Sequence, residues 1–563
     1  MVRKLLIVGG VAGGATAAAR ARRLDESAEI VLFERGDTVS FANCGLPYHI
    51  GGEIPQRRNL LVQTEAALRQ RFHLDIRTRQ EVLAIDRARQ TVRVRDLVAE
   101  REYEESYDVL LLSPGAEPIR PPLPGLNDPR VLTLRNLADM DRIKEAVALG
   151  ARDALVVGGG FIGLEMAENL RRRDINVTLV ELLPQVMPPL DPEMATPVHQ
   201  EMVEQGICLC LGDALASVSE RDDRLHATLK SGATLATDLV LLCVGVRPDT
   251  PLARDAGLAL NERGAIVVSE HMQTSDPHIY AVGDAVEVTE PVCGGKTVIP
   301  LAGPANRQAR VAADHIFGRD SRYRGTQGTS VVRVFDLTVA TTGLSEKALR
   351  RSGAEYRKIY LGPRHHVGYF PGAEPMTIKL LFTPDDGRVL GAQIVGGEGV
   401  DKRIDVLAVA LQAKMTVMDL EEVELAYAPQ YGAAKDPVNL AGFIAANVLK
   451  GDVEFVYAED LGPDPSDRYT IVDVRAPQDH LEDHIPGALS IPALRIRERW
   501  EEIPRDKPVV VHCYTGHMSY YAYRFLRQQG VSCHNLAGGM TVYRFTYPAP
   551  SAAGVAGPPT QCC

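Results

Sequence analysis

Ala154-Leu155-Val156-Val157-Gly158-Gly159-Gly160-Phe161-Ile162-Gly163 is the stretch that decides the fold class of this chain. A short apolar run, read as a strand, ends in Gly158-x-Gly160-x-x-Gly163, and a helix is predicted from about Phe161 to Arg172. The next strand, Val177 to Val180, closes on Glu181, 18 residues beyond Gly163. Each glycine has a separate task. The first makes a tight turn, the second lets backbone approach a pyrophosphate, and the third lets the helix pack on the strand. The helix N-terminus then offers N–H groups to the anion. A carboxylate at Glu181 would accept from a ribose 2′-OH and repel a 2′-phosphate, which favours NADH and leaves NADPH open.

The same local grammar opens the chain. Leu5 to Val8 leads into Gly9-Gly10-Val11-Ala12-Gly13-Gly14, an Ala-rich helix follows from about Gly13 to Leu24, and Ile30 to Phe33 ends on Glu34. Gly9 and Gly14 hold the first and third glycine places and Val11 takes the second. Gly10, Gly13 and Glu34 complete this candidate nucleotide site. Two such βαβ units imply parallel sheets and two nucleotide sites, one for a nucleotide that stays and one for a nucleotide that visits.

Outward from these units, 563 residues predict three to four domains at roughly 150 residues each. Hydrophobic residues at 45% and charged residues at 24% exclude disorder as the main state. A net charge of −11 argues against a nucleic-acid partner. Nine cysteines, irregularly spaced and without a CxxC pair, predict a reducing compartment and no metal site. The apolar start reads as a first strand, and no apolar run reaches the roughly 18 residues of a membrane span. A cytoplasmic protein without a membrane partner is expected.

Thr274-Ser-Asp-Pro-His-Ile-Tyr-Ala-Val-Gly-Asp284, Leu112-Ser-Pro-Gly-Ala116 and Leu242-Cys-Val-Gly-Val-Arg-Pro248 resemble motifs of the flavin-dependent pyridine nucleotide-disulfide oxidoreductases. The resemblance covers about residues 1 to 450. It implies that Asp284 meets the FAD ribityl chain and that Glu165 lies near the nicotinamide. Ser40-Phe-Ala-Asn43-Cys44-Gly-Leu-Pro-Tyr48 carries one cysteine where dithiol members carry two, since position 39 is Val and position 49 is His. A lone thiol can form a mixed disulfide or a sulfenic acid. If Gly45 starts a helix, the backbone amides there would favour the thiolate.

This segment, with Tyr427-Ala-Pro-Gln-Tyr-Gly-Ala-Ala-Lys435-Asp-Pro and Tyr369-Phe-Pro-Gly, is similar to coenzyme A-disulfide reductases. By that resemblance the chain forms a homodimer, and Tyr369 and Tyr427 of a second copy complete the Cys44 site. Thr16, Arg20, Arg23, Ser40, Asn43, Asn306 and Lys435 would contact coenzyme A. Asp473-Val-Arg475, His484-Ile-Pro-Gly-Ala and Val509-Val-Val-His-Cys513-Tyr-Thr-Gly-His-Met518-Ser resemble a rhodanese domain. Backbone N–H groups around Cys513 would cradle an anion and hold a persulfide. Met518 stands where the common loop has arginine, which argues against anionic donors such as thiosulfate.

The fold class is thus α/β, with two Rossmann-like nucleotide-binding domains, an α+β dimerisation domain and a C-terminal α/β rhodanese domain. The expected boundaries are 1–115 and 246–325 for the FAD-binding domain and 116–245 for the NAD-binding domain. Residues 326–452 are the dimerisation domain, 453–463 a linker and 464–547 the rhodanese domain. Residues 548–563 are a flexible tail ending in Cys562-Cys563, a pair that could accept sulfur. The expected function is NADH-driven, FAD-dependent reduction of coenzyme A persulfide, polysulfide or coenzyme A disulfide through Cys44, with Cys513 handling sulfane sulfur. Two alternatives stay open. One is an NADH oxidase or peroxidase cycling Cys44 through sulfenic acid, although Ala12 stands where such peroxidases place a histidine. The other is a redox-sensing sulfur-relay protein.

Overall fold

The computed structural model describes residues 3–549. They fall into two compact units: residues up to 180 with 214–328, and 181–213 with 329 onward. The Cys562-Cys563 pair lies outside the described residues.

Both βαβ units lie in the first unit. The first sheet is parallel, with strands in the order Ile279–Ala281, Val109–Leu112, Lys4–Val8, Glu29–Glu34 and Asp75–Thr78. Its central strand has Leu5, Leu6 and Ile7 fully buried, as a sheet covered on both faces requires. The helix Ala12–Arg22 covers one face together with Ala302–Ile316. Apart from Arg22, its buried residues are alanine and glycine, so the two helices can pack closely. In the second sheet, Asn176–Glu181, Asp153–Val157, Leu239–Leu242 and Val131–Leu132 pair in parallel, in that order. The helix Phe161–Arg171 follows Asp153–Val157 through the glycine turn.

In the second unit an antiparallel sheet runs in the order Ser330–Val334, Leu337–Gly343, Val389–Gly396, Met376–Phe382 and Arg357–Leu361. The helix Val400–Gln412 packs on it. Lys379, on a central strand, is fully buried among Asp191 at 2.9 Å, Glu193 at 2.5 Å and Glu346 at 2.6 Å. Burial opposes its charge, yet Glu193, Asp191 and Glu346 together hold the ammonium well above the ordinary lysine range. These three acids are the one cluster among the described residues spaced to hold a metal, and the Lys379 ammonium sits among them.

The C-terminal sheet is parallel, in the order Phe455–Val456, Cys533–Leu536, Val509–His512, Thr470–Asp473 and Leu489–Ser490. Its edge strand and the turn of helix Ala458–Leu461 lie inside the stretch read as a linker. Two prolines and a glycine after residue 461 pointed to a break, but Val456, Ala458 and Leu461 are buried in the core of this domain.

Candidate active site

The two glycine turns share one geometry. A Cβ on Gly14 would lie 1.8 Å from the Gly9 carbonyl oxygen, and one on Gly163 would lie 1.9 Å from that of Gly158. Both helices therefore sit on their strands at a distance only glycine permits. Gly9 and Gly158 have φ of +96° and +109°, and a Cβ there would strike the carbonyl oxygen of Ser113 or Cys243 at 2.1 and 2.4 Å. At the middle place the loops differ. Gly160 has open space where its Cβ would stand, room for a ligand to approach, while Val11 fills the corresponding place in the first loop. Glu34 accepts from the Gly10 N–H at 2.8 Å and the Gly36 N–H at 2.8 Å, which fixes its carboxylate beside the first turn. Glu181 is buried and accepts from the Leu183 N–H at 2.8 Å. These cradles, helix N-termini and strand-end carboxylates fit two dinucleotides.

Cys44 is a free, exposed thiol in the turn Asn43–Gly45, ahead of the helix Leu46–Gly51. The expectation that this turn would favour the thiolate is corrected. Desolvation pushes the thiol up, the carboxylates of Glu165 and Asp284 add to it, and its own backbone N–H opposes them only in part. Burial likewise raises Asp284, against the pull of Arg135. Glu165 carries the larger effect. Burial pushes it up to about 7, against the hydrogen bond that Tyr48 donates to it at 3.1 Å. Sequence reading passed over Tyr48, because nothing local shows that residues 48 and 165 meet.

The residues expected around coenzyme A are partly brought together. Thr16 donates to Asn306 at 2.5 Å across the two packed helices. Arg20, on the same helix as Thr16, is held by Asp314 at 2.5 Å and is largely buried, so its charge is already matched. Arg23 is exposed and donates to the Ala19 carbonyl. Ser40 adopts a left-handed φ of +51° and donates its N–H to the Gly10 carbonyl, which links the Cys44 segment to the first glycine turn.

In the second unit Tyr369 and Tyr427 are exposed, and their hydroxyls are 3.1 Å apart. Lys435 is exposed beside Asp436, whose buried carboxylate binds Arg403 at 2.8 Å and caps the helix Pro437–Leu449. Cys513 follows the strand Val509–His512 and is buried, with the Ser519 hydroxyl 3.5 Å from its sulfur. Gly516 and Gly539 adopt positive φ around it, and a Cβ on Gly539 would stand 2.4 Å from the Cys513 carbonyl oxygen. No arginine enters the loop from position 518, where exposed Met518 stands. Arg475 reaches under it instead, stacking on Tyr514 at 4.9 Å, but Asp473 neutralises it through a pair at 2.7 Å. His512 is fully buried with neither ring nitrogen hydrogen-bonded, and burial lowers it to about 4 against the pull of the Asp473 carboxylate 3.9 Å from its Nε2.

Residues 3–309 match the pyridine nucleotide-disulphide oxidoreductases, 329–436 their dimerisation domain and 459–545 the rhodanese-like domain. The chain belongs to the pyridine nucleotide-disulphide oxidoreductases. This oxidoreductase is 36% identical over 449 residues to coenzyme A disulfide reductase of Staphylococcus haemolyticus, covering 79% of this chain and all of that one. Its fold matches reduced Bacillus anthracis CoADR-RHD with a TM-score of 0.95 and 48% identity, over 97% of this chain and 99% of that one. It also matches an NAD-dependent persulfide reductase from A. fulgidus with a TM-score of 0.91 and 37% identity, over 96% of this chain and all of that one. The family uses FAD and NAD(P)H, and the two glycine cradles of this oxidoreductase suit that pair. No helix among the described residues is long and apolar enough to cross a membrane.

Proposed function

We propose that this enzyme uses NADH to reduce the sulfur–sulfur bond of a coenzyme A persulfide or polysulfide, or of coenzyme A disulfide, at Cys44. One observation carries the reading: Cys44 is a free, exposed thiol with carboxylates rather than a second cysteine around it, on a chain that also holds Cys513 in a glycine-lined loop. FAD, when bound, supplies the two-electron chemistry between nicotinamide and sulfur. Gly9, Gly10, Gly13, Gly14, Glu34 and Asp284 hold it. Gly158, Gly160, Gly163 and Glu181 hold NADH, with Glu165 at the nicotinamide.

The Cys44 thiolate attacks the coenzyme A sulfur of the persulfide. A Cys44–S–S–coenzyme A bond forms, the persulfide bond breaks, and hydrosulfide leaves. Two electrons and one proton then return the Cys44 thiolate and coenzyme A thiol. Coenzyme A disulfide reacts likewise, with coenzyme A thiolate leaving in the first step. The raised Cys44 thiol needs a proton acceptor and cationic help before attack. Tyr369 and Tyr427 of a second copy, and Lys435, are the groups this reading brings to the sulfur and to coenzyme A. Thr16, Arg23, Ser40, Asn43 and Asn306 are the remaining contacts, with Arg20 acting through its pair with Asp314. Cys513 accepts or delivers sulfane sulfur. The homodimer, the cytoplasmic setting and the domain limits of the sequence reading belong to this proposal, with residues 455–461 counted in the rhodanese domain.

The test is NADH turnover, run anaerobically with coenzyme A persulfide, coenzyme A disulfide or peroxide, and in aerated buffer with oxygen as the sole acceptor. Sustained turnover should occur with the first two and vanish in Cys44→Ser, while NADH still reduces the bound flavin. Turnover with peroxide or oxygen alone would favour the oxidase reading. One stoichiometric reduction without turnover would favour the sensor.

A further inference from the structure

The helix Leu46–Gly51, directly after Cys44, packs on the helix Phe161–Arg171 that starts at the second glycine turn. Three positions at or just past that helix, Glu165, Asn169 and Arg172, are spaced i, i+4 and i+7 and so share one face. Each meets the Cys44 side. The Tyr48 hydroxyl donates to Glu165 at 3.1 Å. Asn169 is fully buried with its Oδ1 unpartnered, and that oxygen would lie 2.0 Å from a Cβ on Gly51. Arg172 pairs with Glu53 at 2.5 Å and with Glu168 at 2.9 Å. A polar ladder thus joins the thiol segment to the nucleotide-turn helix, and its rung nearest both is Tyr48–Glu165.

We propose that Tyr48 is a positioning residue: its hydroxyl holds the Glu165 carboxyl in place at the nicotinamide site, so that NAD+ binding and hydride donation depend on this hydrogen bond. The inference rests on Glu165 facing the nicotinamide, as the proposed function has it. Hydride donation turns a neutral dihydronicotinamide into a cation. An ionised carboxylate beside the ring favours that cation, and a protonated one does not. The groups facing Glu165 are few. Tyr48 comes from the thiol-side helix, and Glu168 adds like charge from its own helix, although Arg172 partly offsets it. Cys44 is coupled to Glu165 and also to Asp284. Burial places the Glu165 ionisation at about 7, and Tyr48 pulls it down by donating to the charged form.

The test is the NAD+ dissociation constant of the oxidised, flavin-loaded protein from about pH 5 to 9. A second, non-catalytic readout is the carboxylic-acid carbonyl stretch in pH-difference infrared spectra. In the native protein NAD+ should bind more tightly as pH rises through about 7, and an infrared band should titrate in step and vanish in Glu165→Gln. In Tyr48→Phe both midpoints should move up by about 1 pH unit, the loss of one hydrogen bond to a charged group. Glu165→Gln should bind NAD+ with no pH midpoint. Unshifted midpoints in Tyr48→Phe, or a uniform loss of affinity at every pH, would overturn the inference and leave Tyr48 a packing residue. Should NAD+ fail to bind at all, the nucleotide reading fails, and the infrared arm still decides whether Tyr48 governs Glu165.

Discussion

One steric lesion, placed in each glycine turn separately, distinguishes the nucleotide that stays from the one that visits. Gly14→Ala puts a methyl 1.8 Å from the Gly9 carbonyl oxygen, and Gly163→Ala puts one 1.9 Å from that of Gly158. Neither oxygen belongs to a flexible side chain, so each helix must back away from its strand by about 1.5 Å to restore contact distance. The N–H groups at the helix start move with it, away from the pyrophosphate they would bind. Overpacking of this size costs about 1–3 kcal/mol, and if that strain is carried by the ligand-bound state affinity falls about 5- to 150-fold. The two variants are compared by flavin absorbance after gel filtration and by NADH titration under anaerobic conditions. Gly14→Ala should elute pale and regain colour only with added FAD. Gly163→Ala should elute yellow, with the NADH requirement raised by that factor and the final extent of reduction unchanged. A yellow Gly14→Ala beside a colourless Gly163→Ala would mean the two sites are exchanged. Native behaviour in both would refute the claim that these close approaches bind the nucleotides.

Other measurements bear on the remaining structure. Lys379→Met leaves Asp191, Glu193 and Glu346 facing one another without their central cation, so the melting midpoint should fall by the equivalent of about 3–5 kcal/mol; an unchanged midpoint would show that the network is not stabilising. Alkylation of Cys44 in flavin-free protein should have its midpoint above the ordinary cysteine range, and Asp284→Asn should lower it by removing a like charge; an unmoved midpoint would dismiss that carboxylate. His512 is neutral in the folded protein down to about pH 4, whereas an unfolded histidine protonates near about 6.5. Its contribution to stability is therefore complete above about pH 6.5 and is lost as pH falls towards 4, visible as a weakening of the C-terminal domain that His512→Leu should abolish.

Much of this molecule is written in short-range signals. The two nucleotide turns were legible because their glycines answer to backbone collisions a few residues away, such as Gly163 on Gly158. The strands Met376–Phe382 and Val389–Gly396 are buried along their full length, and their residues are mostly apolar. What escaped depends on contacts distant in sequence. Lys379 looks like a polar interruption of a strand until Asp191, Glu193 and Glu346 surround it. Arg20 was expected at coenzyme A by resemblance, and nothing near it in sequence announces its partner Asp314, 294 residues away. Tyr48 and Glu165, 117 positions apart, carry no local mark of their meeting. At residues 455–461 the proline-rich run beyond was given more weight than Val456 and Leu461, which turn out to be buried.

The most direct measurement of the central claim is the mass of the Cys44 peptide. After oxidised protein is exposed to coenzyme A disulfide and quenched in acid, that peptide should carry one coenzyme A in disulfide linkage. Anaerobic NADH should remove it and release one equivalent of coenzyme A thiol. An unmodified Cys44 peptide, or coenzyme A found only on Cys513, would contradict the account.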